Sequence, residues 1–87
     1  MIDNRDRQRF ELIENGRLVF ADYRIRDGQY VLPHVEADPA LRGTGAAGRL
    51  MQAIVAHARA ENLALVPRCP YAALWFRRHP EATDVLD

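Results

Sequence analysis

The chain has 87 residues, 48% hydrophobic and 28% charged, with 12 arginines balancing 12 acidic side chains and no lysine. That balance excludes the low-hydrophobicity, high-charge signature of disorder and fits one domain over residues 1–87, with a modest core over about 9–80. Zero net charge speaks against nucleic acid or a membrane surface as partner, the single Cys69 excludes an intramolecular disulfide, and no window reaches the roughly 18 apolar residues of a membrane span, so a cytoplasmic protein is expected.

After a polar start, residues 9–14 read as a short strand with Phe10 and Leu12 on one face, running into Asn15-Gly16. Asn-Gly between two such segments is the strongest short hairpin signal. The second strand, over 17–26, sets Val19, Ala21, Tyr23 and Ile25 on one face and ends at Asp27-Gly28, a turn of the same chemistry. A third strand over 29–37 sets Val31, Pro33, Val35 and Ala37 one way and Leu32, His34 and Glu36 the other. Pro33 has no N–H, so the ladder is predicted to be interrupted there, as at an edge or a bulge.

The hydrophobic period then changes. Over residues 45–60, Ala47, Leu50, Met51, Ile54, Val55 and Ala58 recur at three- and four-residue spacing, one apolar stripe of a helix, with Arg49, Gln52, Arg59 and Glu61 left for its wet side. Asn62 can end that helix in a left-handed conformation, and the apolar run 63–67 suits a buried parallel strand. Pro70 suits the first turn of a second helix over 71–78, which buries Ala72, Trp75 and Phe76 and stops at His79-Pro80. The tail is expected to pack only through Val85 and Leu86. The predicted fold is α+β, in the order β-β-β-α-β-α: a mixed, mainly antiparallel sheet with one parallel strand pair and two helices.

Residues 41–47, Leu-Arg-Gly-Thr-Gly-Ala-Ala, fall between a strand and a helix, where unpaired N–H groups and the helix dipole favour an anion. No Lys-Ser or Lys-Thr follows the last glycine, which excludes a Walker A loop. Gly43-x-Gly45-x-x-Gly48 matches the dinucleotide fingerprint, but too little chain follows for a doubly wound fold. By spacing alone, the glycines either cradle a phosphate or only turn a corner.

Arg42-Gly43-Thr44-Gly45-Ala46-Ala47 resembles the R/Q-x-x-G-x-G/A acyl-CoA signature of the GNAT N-acetyltransferase superfamily, and it follows a strand and an acidic-proline loop, Asp38-Pro39. Cys69-Pro70-Tyr71 and Arg78-His79-Pro80 are similar to two motifs of the superfamily's short, roughly 90-residue GNAT-like branch, so the likeness covers about residues 10–80. The resemblance implies acetyl-CoA (coenzyme A) as cofactor and an unidentified amine as acceptor. Separately, Pro33 and the short sheet leave an edge that a partner could cover, and a monomer or weak homodimer is expected. In that likeness, Val35 and Ala37 would offer backbone groups to the pantetheine arm, between strands that splay apart. The N–H groups of Arg42, Gly43, Thr44, Gly45, Ala46 and Ala47 would hold the diphosphate, and Tyr71 and Arg78 would line the far side. The chain departs from full-length enzymes of the superfamily in lacking the usual first strand and the two helices that help shape the acceptor site.

His34 and Cys69 are the catalytic candidates, near the ends of the strands that flank the helix, and the resemblance points to the same pair. A histidine with its ordinary pKa near 6.5 can take the proton an amine must lose before attack. Cys69 could carry the acetyl group in a two-step route or help position the thioester, with direct transfer the preferred expectation. The plainer readings stay open: Cys69 as a small buried hydrophobe, His34 as a strand residue, Glu36 as an exposed carboxylate that could also orient His34. His57 has Ala53 and Glu61 at helical spacing, so no metal pair forms. An acyl-CoA-dependent N-acetyltransferase is the first expectation, a non-catalytic acyl-CoA-binding module the second, and a nucleic-acid-binding α+β domain the third.

Overall fold

The computed structural model describes all 87 residues. Five strands, β1 (Ile2–Asn4), β2 (Arg9–Glu14), β3 (Arg17–Arg26), β4 (Gln29–Ala37) and β5 (Ala64–Pro67), form one sheet in the order β1-β2-β3-β4-β5. Helix α1 (Ala46–Glu61) connects β4 to β5, and α2 (Pro70–Arg78) follows β5. Every strand pair is antiparallel except β4 and β5, which are parallel, so the expected mixed α+β fold is observed. No helix is long and apolar enough to cross a membrane.

Both predicted hairpins form. Asn15 and Gly16 take φ of 51° and 70°, Asp27 and Gly28 of 51° and 78°, and the flanking pairs Glu14 with Arg17 and Arg26 with Gln29 close two-residue turns. Positive φ at both central residues matches the right-handed twist of the strands, as in type I′ turns.

The sequence reading did not foresee β1. Only Ile2 is apolar there, and it is exposed, so no hydrophobic alternation betrays the strand. Polar bonds accompany its pairing with β2: Asn4 Nδ2 donates to Glu11 Oε2 at 3.1 Å, and the Tyr23 hydroxyl donates to Asp3 Oδ1 at 2.7 Å.

Pro33 does interrupt the ladder, and with a consequence the simple alternation misses. Between the pairs Asp22 with His34 and Arg24 with Val31, two β4 residues, Leu32 and Pro33, oppose Tyr23 alone. The extra residue shifts the faces, as bulges do. Leu32 is therefore fully buried on the core face with Val35 and Ala37, not on the His34 and Glu36 face where strict alternation put it.

The core face of the sheet, with Phe10, Val19, Ala21 and Tyr23 buried, receives Leu50, Met51, Ile54, Val55 and Ala58 of α1. Each large aliphatic side chain buried this fully contributes about 1.5–3 kcal/mol. Asn62 ends α1 at φ 58°, with Leu63 N–H returning to the Ala58 carbonyl at 2.8 Å. In α2, Pro70 occupies the first turn, Ala72, Trp75 and Phe76 are buried, and His79 caps the end, stacked on Trp75 at 4.0 Å with Nδ1 donating to the Trp75 carbonyl at 2.7 Å.

The tail is more ordered than expected. A 3-10 helix, Pro80–Val85, buries Ala82 as well as Val85, and Leu86 bridges to Leu65. Arg59 on α1 grips this helix through both carboxylate oxygens of Asp84, at 2.9 and 2.7 Å, and through the Glu81 carbonyl at 2.9 Å.

Candidate functional site

β4 leads into a 3-10 turn, Pro39–Leu41, capped by the Asp38 carboxylate, which accepts the Ala40 N–H at 2.8 Å, and anchored by buried Leu41. Arg42 is extended, Gly43 and Gly45 stand at φ 78° and 86°, and Gly45 is the N-cap of α1. The first helical bond runs from Arg49 N–H to the Gly45 carbonyl at 3.0 Å. The amides of Gly43, Gly45, Ala47 and Gly48 make no hydrogen bond within the chain, and that of Ala46 reaches only Thr44 Oγ1 at 3.3 Å. Unspent donors at the positive end of a 16-residue helix form an anion-binding arrangement.

The second wall is a strand edge. Pairing of β4 with β5 ends at Leu32 with Pro67, where the Leu32 carbonyl accepts both Arg68 N–H at 3.0 Å and Cys69 N–H at 2.9 Å. Beyond this point β4 continues alone while the chain turns into α2. Asp38 N–H bonds to the Leu18 carbonyl at 2.9 Å, so the alternation of an antiparallel ladder directs Glu36 and His34 toward β3. The N–H and C=O of Val35 and Ala37 consequently face the gap where β4 and β5 part.

Between these walls lies a cavity of about 300 Å³. It brings together seven of the residues singled out from sequence: Ala37, Arg42, Gly43, Gly45, Ala46, Ala47 and Tyr71. Val35, Thr44, Arg78, His34 and Cys69 do not line it. Arg42 and Arg78 are both exposed and make no ion pair. Tyr71, on the first turn of α2, arches over Gly48: a Cβ built on that glycine would lie 3.9 Å from the phenol oxygen and 3.8 Å from Trp75 Nε1. Burial, and then the neighbouring Cys69, push the Tyr71 phenol above its usual pKa, so it remains a neutral hydrogen-bonding group at physiological pH.

His34 and Cys69 bracket the junction of β4 and β5. Cys69 is the buried N-cap residue of α2. His34 lies on the open face of the sheet, beside Phe20 and opposite Asp22. Its Nε2 stands 3.0 Å from Glu36 Oε1. A carboxylate only accepts, so Nε2 carries the proton, and in the neutral ring the Nδ1 lone pair is free.

Three contributors were not among the residues expected to bind the ligand. Leu41 and Gly48 also line the cavity; Gly48 was visible as the third glycine of Gly43-x-Gly45-x-x-Gly48. Arg49, expected on the wet side of the helix, folds back onto the loop, with Nη2 donating to the Thr44 carbonyl at 3.0 Å.

Comparison with known proteins adds the family. No curated protein matches the chain. The sequence model of a family described as GCN5-related N-acetyl-transferase matches residues 9–85, which takes in the whole sheet except β1, both α-helices and the loop between β4 and α1. The chain belongs to the GCN5-related N-acetyltransferase family.

Proposed function

We propose that the chain is a cytoplasmic, acetyl-CoA-dependent N-acetyltransferase acting on an amine. The observation that carries this reading is that loop residues with unspent amides, Gly43, Gly45, Ala47 and Gly48, share one cavity with Ala37 of the unpaired β4 edge. The residues fit the cofactor. Amides and the unpaired Arg42 suit a diphosphate, the edge groups of Val35 and Ala37 suit the amide-bearing pantetheine arm, and Gly45 leaves its rim free of a Cβ, which would meet Arg49 Nη1 at 3.0 Å.

Acetyl-CoA, when bound, supplies an acetyl carbon activated as a thioester and a thiol leaving group. His34 takes the proton that the acceptor nitrogen must lose as it bonds to that carbon, and Glu36 holds the imidazole with Nδ1 as the accepting atom. Tyr71 and Arg78 bind the donor from α2. Cys69, buried where the strands part, positions the thioester, and transfer to the amine is direct.

Calorimetric titration with CoA and acetyl-CoA, against NAD and ATP as controls, tests the cofactor. Micromolar binding of the CoA species alone is expected, and no binding would overturn the reading. Release of thiol from acetyl-CoA with an amine present separates catalysis from binding alone.

A further inference from the structure

The side chain of Arg49 leaves the first turn of α1 and turns back across the loop. Nε and Nη2 donate to the two oxygens of Glu14 at 2.7 and 2.8 Å, and Nη2 also donates to the Thr44 carbonyl at 3.0 Å. Glu14 is the last residue of β2, immediately before the Asn15-Gly16 turn. One guanidinium therefore ties the loop to a hairpin far from it in sequence. The Arg49 hydrogen bond holds the Glu14 carboxyl below its usual range, so the pair stays ionised throughout the neutral region.

An exposed ion pair adds little to global stability. What this one fixes is local. The Thr44 carbonyl and the Gly45 N–H belong to one trans peptide plane, in which they point in opposite directions. Gly43 and Gly45 flank Thr44 and populate positive and negative φ with similar ease, so without a restraint the peptide units between them can turn over. Arg49 holds the Thr44 oxygen on one side and thereby aims the Gly45 N–H to the other. In a helix extended by one more residue the Thr44 carbonyl would accept the Gly48 amide; here it accepts Arg49, and the Gly48 amide makes no hydrogen bond within the chain.

We propose that Arg49, oriented by Glu14, is a positioning residue for donor binding: it sets the Thr44–Gly45 peptide plane so that the loop amides converge on an anionic phosphate group. This rests on the reading that the loop holds an acyl-CoA.

The test uses Glu14→Gln and Arg49→Lys, which keep size or charge but lose the two-pronged bond. Both are expected to retain the thermal midpoint of the parent and its kcat at saturating donor. Both are expected to weaken CoA binding and raise the KM for acetyl-CoA roughly tenfold, about 1.4 kcal/mol. In the ligand-free variants, the amide resonances of Gly43, Gly45 and Gly48 are expected to broaden by exchange, a change that a merely structural role would not produce. Parent-like affinity with unchanged amide resonances in both variants overturns this role alone. Absence of CoA binding by the parent removes the acyl-CoA reading and this role with it.

Discussion

The Leu32 carbonyl accepts the Cys69 N–H at 2.9 Å, at the last rung of the parallel pair and two residues before His34. That junction separates the two chemical candidates, with Cys69 in the core and His34 on the open sheet face. Direct transfer with His34 as base then predicts unequal outcomes. His34→Ala should bind CoA as the parent does and lose roughly 10²-fold or more in kcat. Cys69→Ala should keep most of its turnover, and the parent chain incubated with acetyl-CoA should show no acetyl adduct by intact-protein mass spectrometry. Parent turnover in the first variant, or none in the second, would reassign the roles.

Gly45→Val should abolish CoA binding while leaving the far-UV spectrum unchanged. Gly45 stands at φ 86°, where a β-branched residue is strained by about 1–2 kcal/mol, and the added Cβ would press on Arg49 Nη1 at 3.0 Å. Calorimetry with CoA reads the outcome, and undiminished affinity would remove the loop from the site.

Gly48→Ala should separate stability from binding. A methyl group there meets Trp75 and Tyr71 only at ordinary contact distances, and the helix should gain about 0.5–1 kcal/mol. The same methyl stands in the cavity between the loop and Tyr71. A higher thermal midpoint with weaker CoA binding is the expected pair of results.

Tyr23 predicts an alkaline limb in stability. Burial, and then its hydrogen bond to Asp3, push the phenol from 10.0 up to about 12. A folded-state value above the unfolded one means that the stabilisation is complete below pH 10.0 and is lost as pH rises toward about 12. Urea denaturation at a series of alkaline pH values should show this fall, and Tyr23→Phe should reduce its slope.

Features specified by neighbouring residues were legible in the sequence: the Asn15-Gly16 and Asp27-Gly28 turns, the stripe from Leu50 to Ala58, and the continuous loop from Arg42 to Ala47. Pro33 announced an interruption through its missing N–H, but which residue the bulge would turn inward depends on the register with β3, and Leu32 was misplaced for that reason. β1 escaped because backbone pairing and polar bonds from Asn4 and Asp3, not apolar alternation, accompany its place beside β2. The bond between Arg49 and Glu14 joins residues 35 apart, and locally Arg49 looks like any arginine on a solvated helix face.

The sheet order repeats the chain order. Three antiparallel pairs join strands adjacent in sequence, and such local contacts are quick to form. Only the pairing of β4 with β5 requires closure across the whole of α1, at a larger cost in loop entropy. That pair is expected to assemble last, so hydrogen-exchange pulse labelling during refolding should protect the amides of β5 after those of the hairpins.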